Sequence, residues 1–178
     1  MLNYGGYVQD YFIAKGRDGI ETLRANADLA DTSLPAIGKS ELAAFRAVRV
    51  TTGTVPTYVG HSLLLEGKTS LRLYFRGATT DGYTFWANGT ELTLTQKGGN
   101  YYAEIPDIGS LALFTRYDVK ILKDGVVQGR MVVSPMTYAL AIVESTDEAE
   151  SNLAKALYAY NLAAQNYNDV NFGLDIQW

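Results

Sequence analysis

The sequence predicts an α+β fold: an antiparallel, immunoglobulin-like β-sandwich of about eight strands, flanked by N-terminal and C-terminal helices. Three observations lead to this prediction. Apolar residues follow the helical period near both ends of the chain and a period of two between them. Asn-Gly and Asp-Gly dipeptides separate the alternating runs, as is typical of hairpins. The 178 residues include no cysteine, so the core must form without disulfide bonds.

A helix is predicted over residues 1–15, because Tyr4 and Tyr11 lie on one apolar stripe of helical spacing. Gly16 then provides a suitable C-terminal stop. The sequence that follows mixes turn residues with short helical patches, and we interpret it as a connection over the surface. Residues 1–44 therefore form the first predicted region.

Residues 45–134 are predicted to form the sandwich. The stretch "FRAVRVTTG" alternates in polarity and places Phe45, Ala47 and Arg49 on one side of a strand. Two predicted hairpin turns lie between alternating runs, at Asn88-Gly89 and Asp124-Gly125. A further strand, in "GGNYYAEIPDI", is expected to end at Pro106.

Residues 135–168 are predicted to form a C-terminal pair of helices. Ser134 is the expected N-cap of the first, with Pro135 at the first helical position. Ser145 and Glu148 have the spacing of a capping box for the second. Its expected apolar stripe is Leu153, Ala156, Leu157, Tyr160, Ala163, Ala164 and Tyr167. Residues 169–178 break this pattern and are interpreted as a tail or linker.

The chain carries one pattern at both ends. Its matched positions are Tyr4 and Tyr160, Gln9 and Gln165, and Tyr11 and Tyr167. Both copies lie on predicted helices, with their tyrosines on the apolar face. We expect the two helices to lie near each other and to cap the sandwich, and the two amides to bond neighbouring backbone.

Bulk charge and hydropathy exclude some partners. The net charge of −4 and the pI near 5.0 argue against nucleic acid, which requires a basic surface. No run approaches the ~20 apolar residues of a membrane span, so no membrane insertion is expected. The first residues also lack the features of a signal peptide.

No convincing catalytic or metal site can be identified, and no cofactor is expected. His61 is the sole histidine, and a structural or exposed role is expected for it. Nothing fixes the separation of the strand-associated carboxylates, which are Asp81, Glu91, Glu104 and Asp107. A bound Ca²⁺ is the alternative, near Asp18 or Asp169, although neither stretch fits an EF-hand.

An aromatic cluster is the strongest candidate for a binding site. It comprises Tyr83, Trp86, Tyr101 and Tyr102. Strand alternation places Tyr83 on one face and Trp86 on the other, and it separates Tyr101 from Tyr102 in the same way. Trp86 and one tyrosine would then form a flat platform for a sugar ring. The competing interpretation is that these rings pack against the helices or a neighbouring module.

Several stretches, taken in order, carry a resemblance to a known family. They are "MLNYGGYVQDYF", "SLLLEGKTSLRLYFRG", "YYAEIPDIGSLALFTRYDVKI", "VVSPMTYALAIVES" and "NLAKALYAYNLAAQNY". They resemble a module of large multidomain cell-surface proteins of gut Firmicutes, often found beside leucine-rich repeats, immunoglobulin-like repeats or dockerins. The stretch Ile20–Ala30 and the residues after Asn168 depart from this pattern. The resemblance implies an extracellular, non-catalytic fragment of a longer precursor, and it implies no ligand.

These observations lead to two functional hypotheses. The first is a structural or interaction module, not an enzyme, that spaces or orients neighbouring domains of the same surface polypeptide. The alternative is a carbohydrate-binding module that uses exposed aromatic residues to hold a polysaccharide or host glycan. The two differ in whether the large aromatic side chains are buried or exposed and coplanar.

Overall fold

The computed structural model describes residues 2–17, 34–65, 68–76 and 82–167. The helices are α1 (Leu2–Ala14), α2 (Pro135–Ile142) and α3 (Glu148–Tyr167). The strands are β1 (Val48–Thr51), β2 (Thr57–Leu65), β3 (Thr69–Arg76), β4 (Tyr83–Ala87), β5 (Thr90–Leu92), β6 (Leu94–Lys97), β7 (Asn100–Ile108), β8 (Tyr117–Lys123) and β9 (Val126–Val133). Short 3₁₀ turns span Ala43–Phe45 and Ser110–Ala112.

The described residues fall into two compact units. The sandwich unit lies within Phe45–Gly109 and Thr115–Tyr138. The helical unit lies within Met1–Ala44, Ser110–Phe114 and Ala139–Trp178. One division between the units falls after Ala44, and another falls within α2. Of the helices described, none combines the length and the apolar character that crossing a bilayer requires.

Two antiparallel sheets form the sandwich unit, which confirms the predicted fold class. One sheet has the strand order β1-β9-β8-β4-β5, and the other has the order β2-β3-β7-β6. The second corresponds to the A-B-E-D sheet of an immunoglobulin fold, and β9-β8-β4 corresponds to its G-F-C sheet. The β1 strand is added to the outer edge of β9. The described residues thus contain nine strands where the sequence predicted about eight.

The interior of the sandwich follows strand alternation. Leu71, Leu73 and Phe75 point inward from β3 and are almost wholly buried. The Phe75 ring meets that of Phe85 from the opposite sheet, with centroids 4.6 Å apart. Complete burial of a phenylalanine side chain contributes about 2–3 kcal/mol. Alternate residues of β3 therefore contribute directly to the core.

Two tight turns confirm the predicted hairpins. Asn88 and Gly89 have φ values of 48° and 86°, and they connect β4 to β5. Asp124 and Gly125 have φ values of 49° and 79°, and they connect β8 to β9. Positive φ at both central residues defines the turn that matches the twist of paired strands, and it explains why Gly occupies the second position.

Several predicted boundaries were wrong. The β7 strand continues through Pro106 to Ile108. Phe45 ends a 3₁₀ turn, and β1 begins only at Val48. The N-cap of α3 is Asp147, whose Oδ1 accepts hydrogen bonds from the backbone N–H groups of Ala149 and Glu150. Ser145 lies two residues earlier, where its hydroxyl accepts from the Asp147 backbone N–H and donates to Glu150. The predicted capping box is wrong because the helix begins at Glu148, so Asp147 takes the N-cap position.

The other helix ends agree with prediction. At α1, Gly16 has a φ of 65°, and the Gly16 and Arg17 N–H groups bond the carbonyls of Ile13 and Phe12. At α2, the Ser134 hydroxyl accepts from the Met136 N–H at 3.2 Å. Prediction from local sequence succeeds here because each cap depends on residues only a few positions apart.

The buried face of α3 differs from the predicted stripe. Ala154 and Asn161 are fully buried although they lie outside the stripe, whereas Ala163 is exposed. The Asn161 Nδ2 donates a hydrogen bond to the Ser110 carbonyl at 2.5 Å. An amide therefore lies on a face that was expected to be apolar, and it satisfies a carbonyl of the Ser110–Ala112 turn.

Candidate functional site: a cleft between two edge strands

The predicted aromatic cluster is divided between the two sheets. Tyr83 and Trp86 lie on β4 of the five-stranded sheet, and Tyr101 and Tyr102 lie on β7 of the four-stranded sheet. Trp86 is adjacent to the inward-facing Phe85 and therefore points to the outer face of its own sheet. Its neighbours in register on that sheet are Glu91 and Lys120.

Tyr102 points to the outer face of the other sheet. It lies in register with Tyr74, which is adjacent to the inward-facing Phe75, and the Arg72 guanidinium lies 4.7 Å from its ring centroid. Because the two phenylalanine rings meet between the sheets, Trp86 and Tyr102 lie on opposite outer faces of the sandwich. The structure therefore does not bring them together into one platform, since β4 and β7 belong to different sheets.

Tyr83 and Tyr101 share the inward orientation of their strands. The Tyr83 hydroxyl donates to the Thr54 carbonyl at 3.1 Å, and Tyr101 lies in register with Phe75. Both rings are half-buried. They therefore contribute to the packing of the sandwich edge.

The matched tyrosines of the repeated pattern meet in the helical unit. Tyr4 and Tyr160 stack with ring centroids 4.6 Å apart and an interplanar angle of 6°. At the other end of α1, the Lys15 ammonium bonds Asp147 at 2.8 Å and Glu150 at 2.7 Å. Because the start of α1 contacts the later part of α3 and its end contacts the beginning of α3, the two helices are antiparallel. The prediction that they lie near each other is confirmed.

The remaining positions of the repeat behave differently. The Gln9 Oε1 and Gln165 Nε2 atoms are buried and have no hydrogen-bond partner within the described residues, so the expected backbone bonds of these two atoms are not found. Tyr11 packs against Phe12 at 5.6 Å and has the Lys15 ammonium 5.5 Å from its ring centroid. The side chain of Tyr167 lies outside the described part of the structure.

A cleft of about 570 Å³ opens in the sandwich unit between β1 and β2. These strands are the adjacent edges of the two sheets. Its floor is apolar and consists of the buried side chains of Phe75, Ile121 and Met131. Polar residues, notably Arg49 and Tyr58, form its rim. An apolar floor with a few polar groups at the rim is the usual composition of a ligand site.

Arg49 is one of two cations that line this cleft, and the other, Arg130, forms an ion pair with Asp118. Arg49 lies in register with the buried Met131, so it points inward from β1 toward the space between the sheets. Its guanidinium lies over the ring of Tyr58, 5.1 Å from the centroid. Among the described residues no carboxylate forms an ion pair with it. The guanidinium is exposed, has an aromatic ring on one side and has room for an external anion.

Close backbone packing shapes one wall of the cleft. A Cβ atom added to Gly129 of β9 would lie 2.9 Å from the Val55 Cγ1. Real Cβ atoms do not approach that closely, so a larger residue at this position would displace Val55 and the chain that connects β1 to β2. Gly129 therefore fixes the width of the cleft.

His61 lies behind the rim. Its Nδ1 is 2.6 Å from the Tyr58 hydroxyl, and its Nε2 is buried without a partner of acceptable geometry within the described chain. Burial lowers the pKa of His61, and the backbone of Thr137 offsets part of this effect. Burial also raises the pKa of Tyr58 to about 12, against the lowering influence of Arg49. The phenol therefore stays protonated and donates to a neutral imidazole.

The raised pKa of Tyr58 does not suit this side chain for general base or nucleophilic catalysis. A general base or nucleophile needs a pKa near the working pH, whereas the Tyr58 pKa moves away from it. The candidate carboxylates are dispersed: Glu104 bonds Arg72 at 2.7 Å, and Asp107 bonds Lys68 at 3.0 Å. Asp81 and the possible calcium ligands Asp18 and Asp169 lie outside the described residues. Within the described ranges, no group of three acidic or histidine side chains is placed to hold a metal ion.

Sequence reasoning missed this cleft as a site, although one signal was present. The alternation of "FRAVRVTTG" placed Arg49 on the same side as apolar residues. A charge at an inward position of a strand marks either an edge strand or a site. Its location beside Tyr58 depends on the pairing of separate sheets and could not be obtained from the spacing. Comparison of this chain with known protein families, with curated proteins and with solved structures finds no match.

Proposed function

We propose that this chain is a non-catalytic structural and interaction module of a bacterial cell-surface protein, and that it orients neighbouring domains of the same polypeptide. The resemblance of its sequence motifs supports the extracellular setting. The antiparallel contact between α1 and α3 is the observation that carries the orienting role. Tyr4 lies against Tyr160, and Lys15 lies against Asp147 and Glu150, so the two helices form one continuous seam.

The geometry of this seam favours orientation over spacing. In an antiparallel pair, Leu2 at the beginning of α1 and Tyr167 at the end of α3 lie at the same end. Domains attached through these helices would leave the module side by side. The module would then set the angle between its neighbours, and it would not separate them by its own length.

The test uses donor and acceptor fluorescent proteins attached to the two ends of the full chain. Efficient energy transfer is expected because Leu2 and Tyr167, the helix ends nearest to the two attached proteins, lie at the same end of the helix pair. The double variant Tyr4→Ala, Lys15→Ala removes both contacts of the seam and should lower and broaden the transfer distribution. Tyr102→Ala, which removes a tyrosine from the outer face of a sheet, is the matched control. Unchanged transfer in the double variant would refute the orienting role.

The carbohydrate-binding alternative requires its own measurement. Affinity electrophoresis of the chain through gels that contain individual plant and mucin polysaccharides, with Trp86→Ala alongside, tests it directly. Retardation that is lost in the variant would favour a glycan-binding module with its site on the outer face of β4. Uniform mobility is the result expected from the proposal.

A further inference from the structure

The β1 strand is an edge of the five-stranded sheet, and among the described strands it pairs only with β9. All four of its residues are exposed. Val48 and Val50 have exposed fractions of 39% and 58%. Like the edge strands β5 and β6, β1 is short and carries one charged residue, which is Arg49. An inward-pointing charge at a sheet edge disfavours pairing with a strand that cannot neutralise it.

The two faces of β1 differ in chemistry. Val48 and Val50 lie on one face, whereas Arg49 lies on the other, where it enters the cleft. A strand added to this edge would place alternate side chains on these same faces. It would therefore need aliphatic residues opposite the valines and an acidic residue opposite Arg49, because cross-strand pairs of these kinds are favourable.

We propose that β1 accepts an extended segment of a separate polypeptide in which one acidic residue lies between two aliphatic residues. The strand would pair along the free edge of β1, with its carboxylate on Arg49 at the mouth of the cleft and its aliphatic side chains against Val48 and Val50. Main-chain hydrogen bonds would supply affinity, and the charge would supply specificity. A neutral strand would bury the Arg49 cation without an anion, so the same residue would reject it.

A second copy of β1 does not fit this edge. Pairing of β1 with itself would bring two Arg49 guanidinium groups to the same face, and like charges across a sheet are unfavourable. Nonspecific attraction does not account for an acidic partner either, because the chain itself has a net charge of −4. Binding would depend on the local position of Arg49.

The proposal rests on the proposed function, since it names the partner of an interaction module, but the two tests are independent. Energy transfer depends on the contact between α1 and α3, whereas peptide binding depends on the free edge of β1. A convenient probe is a synthetic peptide with the sequence DVNFGLDIQW. It is taken from residues 169–178 of this chain, where Leu174, Asp175 and Ile176 provide the required pattern.

The experiment titrates this peptide into the isotope-labelled full chain carrying Asp175→Asn, so that the chain's own copy of the segment lacks the acidic residue and does not compete, and it follows the amide resonances by NMR. Shifts centred on Val48–Thr51 are expected, and a scrambled peptide with both aspartates between polar residues should produce none. Arg49→Glu should weaken binding about tenfold, and a peptide with Asp175→Lys should restore it on that variant. Lys97→Glu makes the same charge change at the edge strand β6 and should leave binding unchanged.

Two versions of the peptide, each N-methylated at alternate backbone amides, test whether the peptide binds as a strand paired with β1. Alternate amides of an added strand point to the host and to solvent, so methylation of one set should weaken binding at least about tenfold while the other set is tolerated. Equal effects of the two sets would overturn the proposal in favour of a nonspecific apolar contact. Absence of shifts in β1 at about 1 mM peptide would also overturn it. If the β1 resonances shift when only the protein concentration is raised, the strand that pairs with β1 belongs to a second copy of the chain, and the proposed partner is wrong.

Discussion

The two compact units each have an aromatic contact at their centre, but they use it differently. In the sandwich unit, Phe75 and Phe85 meet in a dry interior with almost no exposure. In the helical unit, Tyr4 and Tyr160 stack while both remain partly exposed, and the ion pairs of Lys15, at the other end of α1, lie at the surface. The stability of the sandwich depends mainly on close apolar packing, which pH affects less directly than it affects ion pairs. The helical seam depends more on polar contacts, so it responds to pH and salt.

The largest effect is expected from Phe85→Ala. Loss of this fully buried ring should lower the free energy of unfolding by about 3–5 kcal/mol, because a cavity remains between the sheets. Urea unfolding followed through the β4 amides measures it, with Phe85→Leu as the milder control. A loss under about 1 kcal/mol would contradict a close-packed interior.

A smaller effect is expected from Thr137→Val. The Thr137 hydroxyl accepts from the Ser134 N–H at 2.9 Å and donates to the Phe45 carbonyl at 2.7 Å, and it is buried. The isosteric valine removes both of these hydrogen bonds from a buried site, which should cost about 2 kcal/mol in urea unfolding. Thr137→Ser keeps the hydroxyl and should lose much less. Equal stability of the two variants would show that these hydrogen bonds contribute nothing.

The tyrosine stack should contribute less than the buried phenylalanines. A double-mutant cycle with Tyr4→Leu and Tyr160→Leu is expected to give a coupling free energy of about 0.5–1.5 kcal/mol. The control cycle combines Tyr4→Leu with Tyr158→Leu, since Tyr158 packs against Phe114. If both cycles give the same coupling free energy, stacking of the Tyr4 and Tyr160 rings does not contribute specifically to stability.

The His61 side chain provides a pH-dependent effect in the sandwich unit. Its pKa is lowered by burial, so the unfolded state binds a proton first as the pH falls. Stability should therefore decrease as the pH falls through the unfolded value of about 6.5, and His61→Gln should remove this decrease. Because the chain has one histidine, a single NMR resonance reports the folded pKa. A midpoint at or above 6.5 would disagree with this burial.

The smallest effect is expected at the Lys15 ion pairs. Hydrogen bonds from Lys15 lower the pKa of both Asp147 and Glu150. Their contribution is present above the unfolded values of about 4 and is lost as the pH falls through the lowered folded values. Lys15→Met should therefore flatten the acid dependence of α3 unfolding, measured by circular dichroism below about pH 5. The same acid dependence in the parent chain and the variant would exclude this ion pair as its source.

Local sequence determined much of the architecture. The alternation around Leu71–Phe75, the turns at Asn88-Gly89 and Asp124-Gly125, and the cap at Ser134 each depend on residues a few positions apart. Their outcome is set by strand alternation, by backbone φ and by hydrogen bonds within one turn. The repeated tyrosine pattern at the two ends also predicted helices that meet.

Tertiary structure alone decided the candidate site. Spacing placed Trp86 and Tyr102 on neighbouring stretches of the chain, but β4 and β7 belong to different sheets, so their outward faces diverge. The cleft arises because β1 adds to β9 while β2 adds to β3, and this leaves Arg49 over Tyr58. Strand partners are chosen by packing across the whole sandwich, and no local pattern specifies them. The sequence by itself determined the elements and their buried faces, and only the pairing of distant strands determined where a ligand could bind.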